Sequence, residues 1–532
     1  MEKKYVLAYD IGTTGVKTCI FALSEKIEML GAASHGYGLY VLPDGGVEQN
    51  PDEWWEAMCI TTAEALGDSG IDADQIEGIS FCSQMQGCVL VDKDGKPVRP
   101  AMSYMDTRAK AELKENMAYG PQIAGANVFK LLKSLYYTKA VSASVKDPVY
   151  KYKWVQAHEK ENFAKTYKWL DVKEALICRM TGEFIMTCDS AFATLLYDVR
   201  PGNEGWCKPI SDMLGVNYDH LAKIIKCTDQ AGVLTEQAAK ELGLKAGTPV
   251  FGGGGDATLI GIGAGAVEVG DTHIYQGTSG WVSTVVDTSL VDTNSMIAAT
   301  VGINEHLFNY FAELETAGKC LEWVKDNVAQ DGIGIYTKKQ TAAEGVDAKF
   351  NSVYDCISAI IENVPAGSNG VMFTPWLHGN RCPFEDPNCR GMFFNLSLET
   401  AKGDLLRAVT EGVCYHFRWF IEAEDKKTKT SDVVRFVGGG ALSPSTCQIL
   451  ADVTGKTVET VTSPQNAGAV GAAVVMALGL GIIKDVKEAK KLIPADCTYK
   501  PNPANKAIYD KGFELFKSLY TANKANFETA NG

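Results

Sequence analysis

Asp10-Ile11-Gly12-Thr13-Thr14-Gly15, set between the apolar run Val6-Leu7-Ala8-Tyr9 and Val16–Leu23, decides how this chain is read. Short apolar runs bounded by turn residues predict two buried strands joined by a turn. Glycines let the backbone turn sharply and present N–H groups to an anion, and the hydroxyls of Thr13 and Thr14 add donors. Asp10 repels a phosphate unless a cation stands between them, so its chemistry here is to hold magnesium, directly or through water. A plain β-hairpin with a polar turn is the competing reading. The Gly-x-x-x-x-Gly-Lys-Ser/Thr phosphate loop does not occur in the sequence.

Working outward, the same pattern returns about half a chain later. Thr272–Tyr275 leads into Gln276-Gly277-Thr278-Ser279-Gly280 and then Trp281–Val286. Strand, glycine–hydroxyl turn and strand in both places predict a duplicated unit with two donor-rich turns facing a triphosphate across a cleft. Between and beyond them strands and helices mix. Asn50 and Pro51 open an amphipathic helix to Leu66, Ile76–Phe81 and Gly87–Asp92 read as strands, and Pro148–Arg179 reads as mainly helical. Helices are also expected near Ala317–Val328, Ala401–Glu424 and Ala467–Leu480, with a strand at Val433–Val437. The glycine-rich Gly252–Gly265 marks a boundary, giving expected units at 1–255, 256–485 and a helical tail at 486–532.

Three further stretches carry chemistry. Gly252-Gly253-Gly254-Gly255-Asp256 follows an apolar strand. Its glycines are expected to let backbone and ligand approach closely, and Asp256 to accept a proton from an attacking hydroxyl. An N-cap for the helix that follows is the alternative role of Asp256. Gly438-Gly439-Gly440-Ala441, after Val433–Val437, would let a flat adenine ring lie on backbone, or would simply pack a helix against a strand. Tyr104-Met105-Asp106-Thr107-Arg108 combines an aromatic face with forked charges, a set suited to a polyhydroxylated ligand, a surface salt bridge being the alternative.

Composition narrows the class. With 532 residues, 46% hydrophobic and 22% charged, the chain is long enough for two large domains. A net charge of −14 argues against nucleic acid or an anionic membrane surface as the main partner. The 15 cysteines include no Cys-x-x-Cys pair and are odd in number, so reduced, mostly buried thiols of a cytoplasmic protein are expected. No secretory leader is read at the start, and Ala467–Ile483 suits a buried helix packed on another backbone better than a membrane span.

Taken together these residues resemble the FGGY carbohydrate kinases, and within them the xylulokinase-like branch. The resemblance runs through Asp10–Gly15, Glu48–Trp55, Ser83–Gly87, Asp106 with Arg108, Gly253–Asp256, Gly277–Gly280, Arg390–Phe394, Asp404–Glu411 and Gly438–Ala441 with Ala451–Gly455. It implies an α/β fold of two actin-like, ribonuclease-H-like ATPase domains flanking a central cleft. It implies Asp256 as general base and Asp10 as the magnesium-associated acid, with both carboxylates available to Mg2+. Gly12, Thr13, Thr14, Gly277, Thr278, Gly318, Gly439, Gly440 and Ala441 are the candidate ATP contacts; Gly318 rests on the resemblance alone. Met85, Gln86, Tyr104 and Asp106, with Asp256, are the candidate sugar contacts. The chain departs from the xylulokinase-like pattern where Gln86 stands for histidine, Ala257 for asparagine and Tyr104 for tryptophan. Asn380, Cys382 and Asn395 also depart from it. The implied reaction is transfer of the γ-phosphate of MgATP to a ketose such as xylulose, with ribulose, fuculose, erythritol or a similar polyol as alternatives. A homodimer is left open. An actin- or Hsp70-like ATPase acting on a protein partner also explains the paired turns, but not the sugar-side segments.

Overall fold

Two large sheets repeat one strand order. The computed structural model describes residues 3–123, 125–304, 306–329 and 352–532. The first sheet contains β1 Lys4–Ile11, β2 Gly15–Leu23, β3 Ile27–Gly36, β4 Ile76–Ser83, β5 Gln230–Val233 and β6 Pro249–Phe251, in the order β5-β6-β4-β1-β2-β3. The second contains β7 Thr272–Gln276, β8 Gly280–Val286, β9 Ile297–Val301, β10 Phe308–Leu314, β11 Val433–Val437, β12 Thr457–Val461 and β13 Ala495–Tyr499, in the order β9-β10-β8-β7-β11-β12-β13. In each, the strand before the glycine–hydroxyl turn pairs antiparallel with the strand after it and parallel with a later strand. The five strands β3-β2-β1-β4-β6 thus correspond to β10-β8-β7-β11-β12, and the repeat legible in two short turns is a repeat of whole sheets.

Helices cover the sheets: α1 Pro51–Ser69, α2 Pro148–His158, α3 Val172–Thr181, α4 Asp256–Gly263, α5 Gly318–Val324, α6 Lys402–Glu424, α7 Pro444–Thr454, α8 Ala467–Gly479 and α9 Lys506–Asn531. The start of α1 is set as its sequence predicts, with the Asn50 side chain accepting the Asp52 N–H at 3.1 Å and Pro51 in the first turn. Buried α8 packs on α4 and on β1 and β4 of the first sheet, although it follows the strands of the second. Small residues make that crossing close: a Cβ on Gly471 would fall 2.1 Å from the Leu259 carbonyl oxygen. Among the described residues no helix is long and apolar enough to cross a membrane.

Two expectations change. The tail is not wholly helical, because Ala495–Tyr499 adds an edge strand against β12, with Val458 opposite Tyr499. Its polar, exposed side chains hid a strand whose stability comes from backbone pairing. Helix α9 then buries Tyr509, Phe513, Phe516 and Leu519 in the core. The cysteines are all free thiols, and all but Cys59 and Cys497 are buried.

One buried acid makes a stability prediction. Glu424, at the end of α6, is fully buried; its Oε2 accepts the Thr284 hydroxyl at 2.6 Å and its Oε1 has no partner. Burial pushes its pKa up to about 8. The protonated form is therefore favoured by folding, and its stabilisation is complete below about pH 4.5 and lost as pH rises through about 8. Glu424→Gln, which keeps an acceptor for Thr284, should flatten that slope. Thermal melts from pH 5 to 8.5 should show the variant gaining on the parent as pH rises; parallel curves would refute the assignment.

Candidate active site

Asp256 stands where the glycine run meets the first sheet. Gly253 has a φ of +66°, and a Cβ there would fall 2.2 Å from the Phe81 carbonyl oxygen, so only glycine allows this approach. Gly254 and Gly255 then pair in parallel beside Cys82 and Ser83 of β4. At Gly253 the run thus admits close approach of protein backbone. Its geometry is held from below by Asp189, whose Oδ2 accepts the Gly255 N–H at 2.7 Å and whose Oδ1 accepts the Thr187 hydroxyl at 2.5 Å. Buried Lys173 bonds Glu174, Thr187 and Ser190 in the same network.

Asp256 opens α4 but does not cap it by reaching a second or third N–H: its Oδ1 accepts from Ala257 N at 2.8 Å, and Gly255 occupies the cap position. One oxygen is left for other work. Its pKa is pushed up to about 7, first by burial and then by the charges of Asp10, Glu313 and Asp171, against the Ala257 hydrogen bond. Burial likewise raises Asp10, which Lys17 opposes. Asp10 ends β1 against the start of α8, where a Cβ on Gly468 would lie 3.0 Å from its Oδ2.

The two turns face this pair. In the first, Gly12 N–H bonds the Gly15 carbonyl at 2.9 Å, Gln49 donates to the Thr13 carbonyl at 2.7 Å, and Thr14 is exposed. In the second, the Gly277 and Thr278 carbonyls accept from Gly318 and Ala317 N–H groups at 2.9 and 3.0 Å, tying the turn to the start of α5. Gly318 therefore joins the turn that the resemblance associates it with. Gly439 is open, while Gly440 lies against Gln276 of β7 and Ala441 is buried. The backbone around Gly438–Ala441 thus borders the same turn.

On the other side of Asp256 lie the expected sugar residues. Met85 packs on Gly255, and the Tyr104 hydroxyl is 3.3 Å from Thr13 Oγ1. Gln86 adopts a φ of +63°, a strained conformation for a side chain of its kind. Asp171 holds it there, accepting the Gln86 and Gly87 N–H groups at 2.9 and 2.8 Å, while Lys151 donates to the Gln86 carbonyl at 2.7 Å. Asp106 departs from its expected place. It is fully buried, accepting from Val47 N at 2.9 Å and from Arg108 Nη2 at 2.8 Å, so it fixes the loop carrying Tyr104 and presents no free oxygen to a ligand. That pair is an interior one, joined by Glu48 and Arg99.

Profiles of the FGGY family of carbohydrate kinases match residues 5–263 with the N-terminal domain and residues 273–480 with the C-terminal domain. The chain belongs to the FGGY family of carbohydrate kinases. It is similar to the xylulose kinase of Staphylococcus epidermidis, 29% identical with 98% of each chain covered. It is also similar to the gluconokinase of Bacillus subtilis, 27% identical over 84% of this chain and 82% of that one. The ligand-bound xylulose kinase structure from Lactobacillus acidophilus superposes with a TM-score of 0.84 at 24% identity, over 99% of this chain and 100% of that one. The FGGY fold of two actin-like, ribonuclease-H-like domains is therefore the fold of this chain, and FGGY kinases take ATP as phosphoryl donor.

The structure also brings to the segments around Asp256 and Gln86 residues that sequence reading missed: Lys151, Asp171, Lys173, Glu174 and Asp189. A signal existed in Val172-Lys173-Glu174-Ala175-Leu176-Ile177-Cys178, where adjacent opposite charges are the sole polar side chains of a wholly buried stretch. The raised pKa of Asp256 makes a measurable statement about this FGGY kinase. A base that works as carboxylate should give kcat/KM rising with pH to a plateau, with an inflection near 7 and a tenfold fall per unit below it. A profile flat from pH 5.5 to 8 would contradict it.

Proposed function

We propose that this FGGY kinase transfers the γ-phosphate of MgATP to a hydroxyl of a neutral ketose, with xylulose as the leading substrate. The observation that supports this reading is Asp256, a desolvated carboxylate with one free oxygen, in the electrostatic field of Asp10 and next to Gly255, on which Met85 packs. Asp256 takes the proton of the acceptor hydroxyl as its oxygen bonds to the γ-phosphorus; the β–γ bridging P–O bond breaks and its electron pair leaves with ADP. The N–H groups and hydroxyls of Thr13 and Thr14 and of the Gly277–Thr278 turn orient the phosphates, while the Gly12 N–H closes its own turn on Gly15.

The donor set fits a magnesium ion that rides on the nucleotide. Asp10 and Asp256 are hard oxygen donors close enough to raise each other's neighbourhood charge, and Mg2+ is commonly held by one or two carboxylates plus phosphate oxygens and waters. Among the described residues no cluster of three or more ligating side chains forms an all-protein cage. When bound, the ion would neutralise charge on the phosphates, with Asp10 and Asp256 as its protein contacts.

Charge favours a neutral sugar over a sugar acid. Asp256 feels Asp10, Glu313 and Asp171, and Tyr104 feels Asp256, Glu313 and Glu315. The nearby cations are engaged: Lys151 by the Gln86 carbonyl, and Arg381 by Glu313 at 2.9 Å. A substrate carboxylate would meet the repulsion of these acids, opposed by Arg381 and Lys146. The full-length xylulose kinase relatives point the same way.

ADP release measured across pentuloses, hexuloses, polyols and gluconate should respond most strongly to xylulose and least to gluconate. ATP hydrolysis unchanged by every acceptor would overturn the kinase assignment, and gluconate as best acceptor would overturn the substrate. With the best acceptor, Asp256→Asn should lose about 10³-fold in kcat while the protein still binds nucleotide. Retained turnover would remove Asp256 from the base role.

A further inference from the structure

We propose that the Tyr275 hydroxyl donates a hydrogen bond to the phosphoryl group in transfer, making Tyr275 a further catalytic residue. The proposal rests on the phosphoryl-transfer reading above. Tyr275 is the penultimate residue of β7, paired with Trp281 across the hairpin and with Val437 on the other side. Its ring stacks on Trp281 with centroids 4.0 Å apart and 30° between planes. On the other side it lies against Gly438, where a Cβ would come 3.0 Å from Tyr275 Cδ2. A ring with two rotatable bonds, clamped on both sides, places its hydroxyl at one point.

That point is the second phosphate turn. A Cβ on Gly277 would fall 2.1 Å from the Tyr275 hydroxyl oxygen, so the oxygen lies directly over the turn. The Gly277 and Thr278 carbonyls are engaged by the Gly318 and Ala317 N–H groups and do not hold the hydroxyl. Asp10, Asp256 and Cys82 act on it electrostatically. Because it lies over the Gly277–Thr278 turn, which the proposed reaction uses to hold the phosphates, the moiety facing Tyr275 is the phosphoryl group.

The hydroxyl is also chemically free for the task. Among the described residues no hydrogen bond to it is formed by a carboxylate, a carbonyl or another hydroxyl, and the side chain is only half-buried. Burial first, and then the charges of Asp10, Asp256 and Cys82, raise its pKa. It stays protonated while Asp256 cycles between carboxylate and acid, and it keeps its proton throughout the transfer. A neutral donor preorganised toward oxygens that gain charge in the transition state speeds reaction without competing for the metal.

Tyr275→Phe isolates the hydroxyl, since the ring and its stacking remain. With the full chain, ATP, Mg2+ and the best acceptor of the panel, kcat should fall about 10- to 100-fold, with the acceptor KM within twofold and the melting temperature unchanged. Affinity for ADP alone should be retained, while affinity for ADP with aluminium fluoride and acceptor, which imitates the transferring group, should fall by a similar factor. A kcat within threefold of the parent, or a loss that appears only in the KM for ATP, would overturn the proposal. So would a fall in kcat accompanied by equal weakening of ADP. A parent protein that phosphorylates no acceptor would remove the kinase reading and this proposal with it; an active parent matched by Tyr275→Phe would remove only the proposal.

Discussion

The cleft depends on one backbone contact, the approach of Gly253 to the Phe81 carbonyl. Without a side chain at 253 the chain can leave β6, swing through a left-handed residue and run beside the end of β4. That path delivers Asp256 to the first turn of α4, with its carboxylate beside Asp10 from the neighbouring strand. Asp189, supported by Lys173 and Glu174, fixes the last peptide before it. Asp256 is therefore set by main chain and by a buried charge network, and its own side chain contributes only its single bond to Ala257.

Such a network is costly to bury and is stable only when its members are all paired. Here the lysine meets a carboxylate and two hydroxyls, each of the two acids bonds further groups, and Glu174 Oε2 is the atom left without a partner. The same principle operates on the sugar side, where Asp171 and Lys151 impose an unfavourable backbone on Gln86. The strain at that residue is thus held by bonds to its backbone N–H and carbonyl.

The legibility of these parts follows the range of the interactions that make them. The phosphate turns, the α1 cap and the Gly252–Asp256 run are local, and their residue types announce them in a few positions. The duplication followed from the recurrence of one such unit, as the matched order of the two sheets bears out, while the actin-like fold class came with the family resemblance. Asp106 was misplaced because an acid near an aromatic suits a sugar equally well on paper; its partners Val47 and Arg108 meet it only through the tertiary fold. Gln86 gives no hint of a left-handed conformation, since its restraint comes from Asp171 and Lys151, far along the chain. Tyr275 read as one more apolar strand residue because alternation cannot say what lies beyond the end of a strand.

The crossing of α4 and α8 has a mechanical consequence. Their backbones touch through Gly263, Ala467, Leu259 and Gly471, with no intervening side chains to slide or compress. Asp256 begins one of these helices, and Asp10 rests against the beginning of the other. The crossing is thus a joint of main chain on main chain, and the carboxylates of Asp256 and Asp10 are each carried beside one half of it.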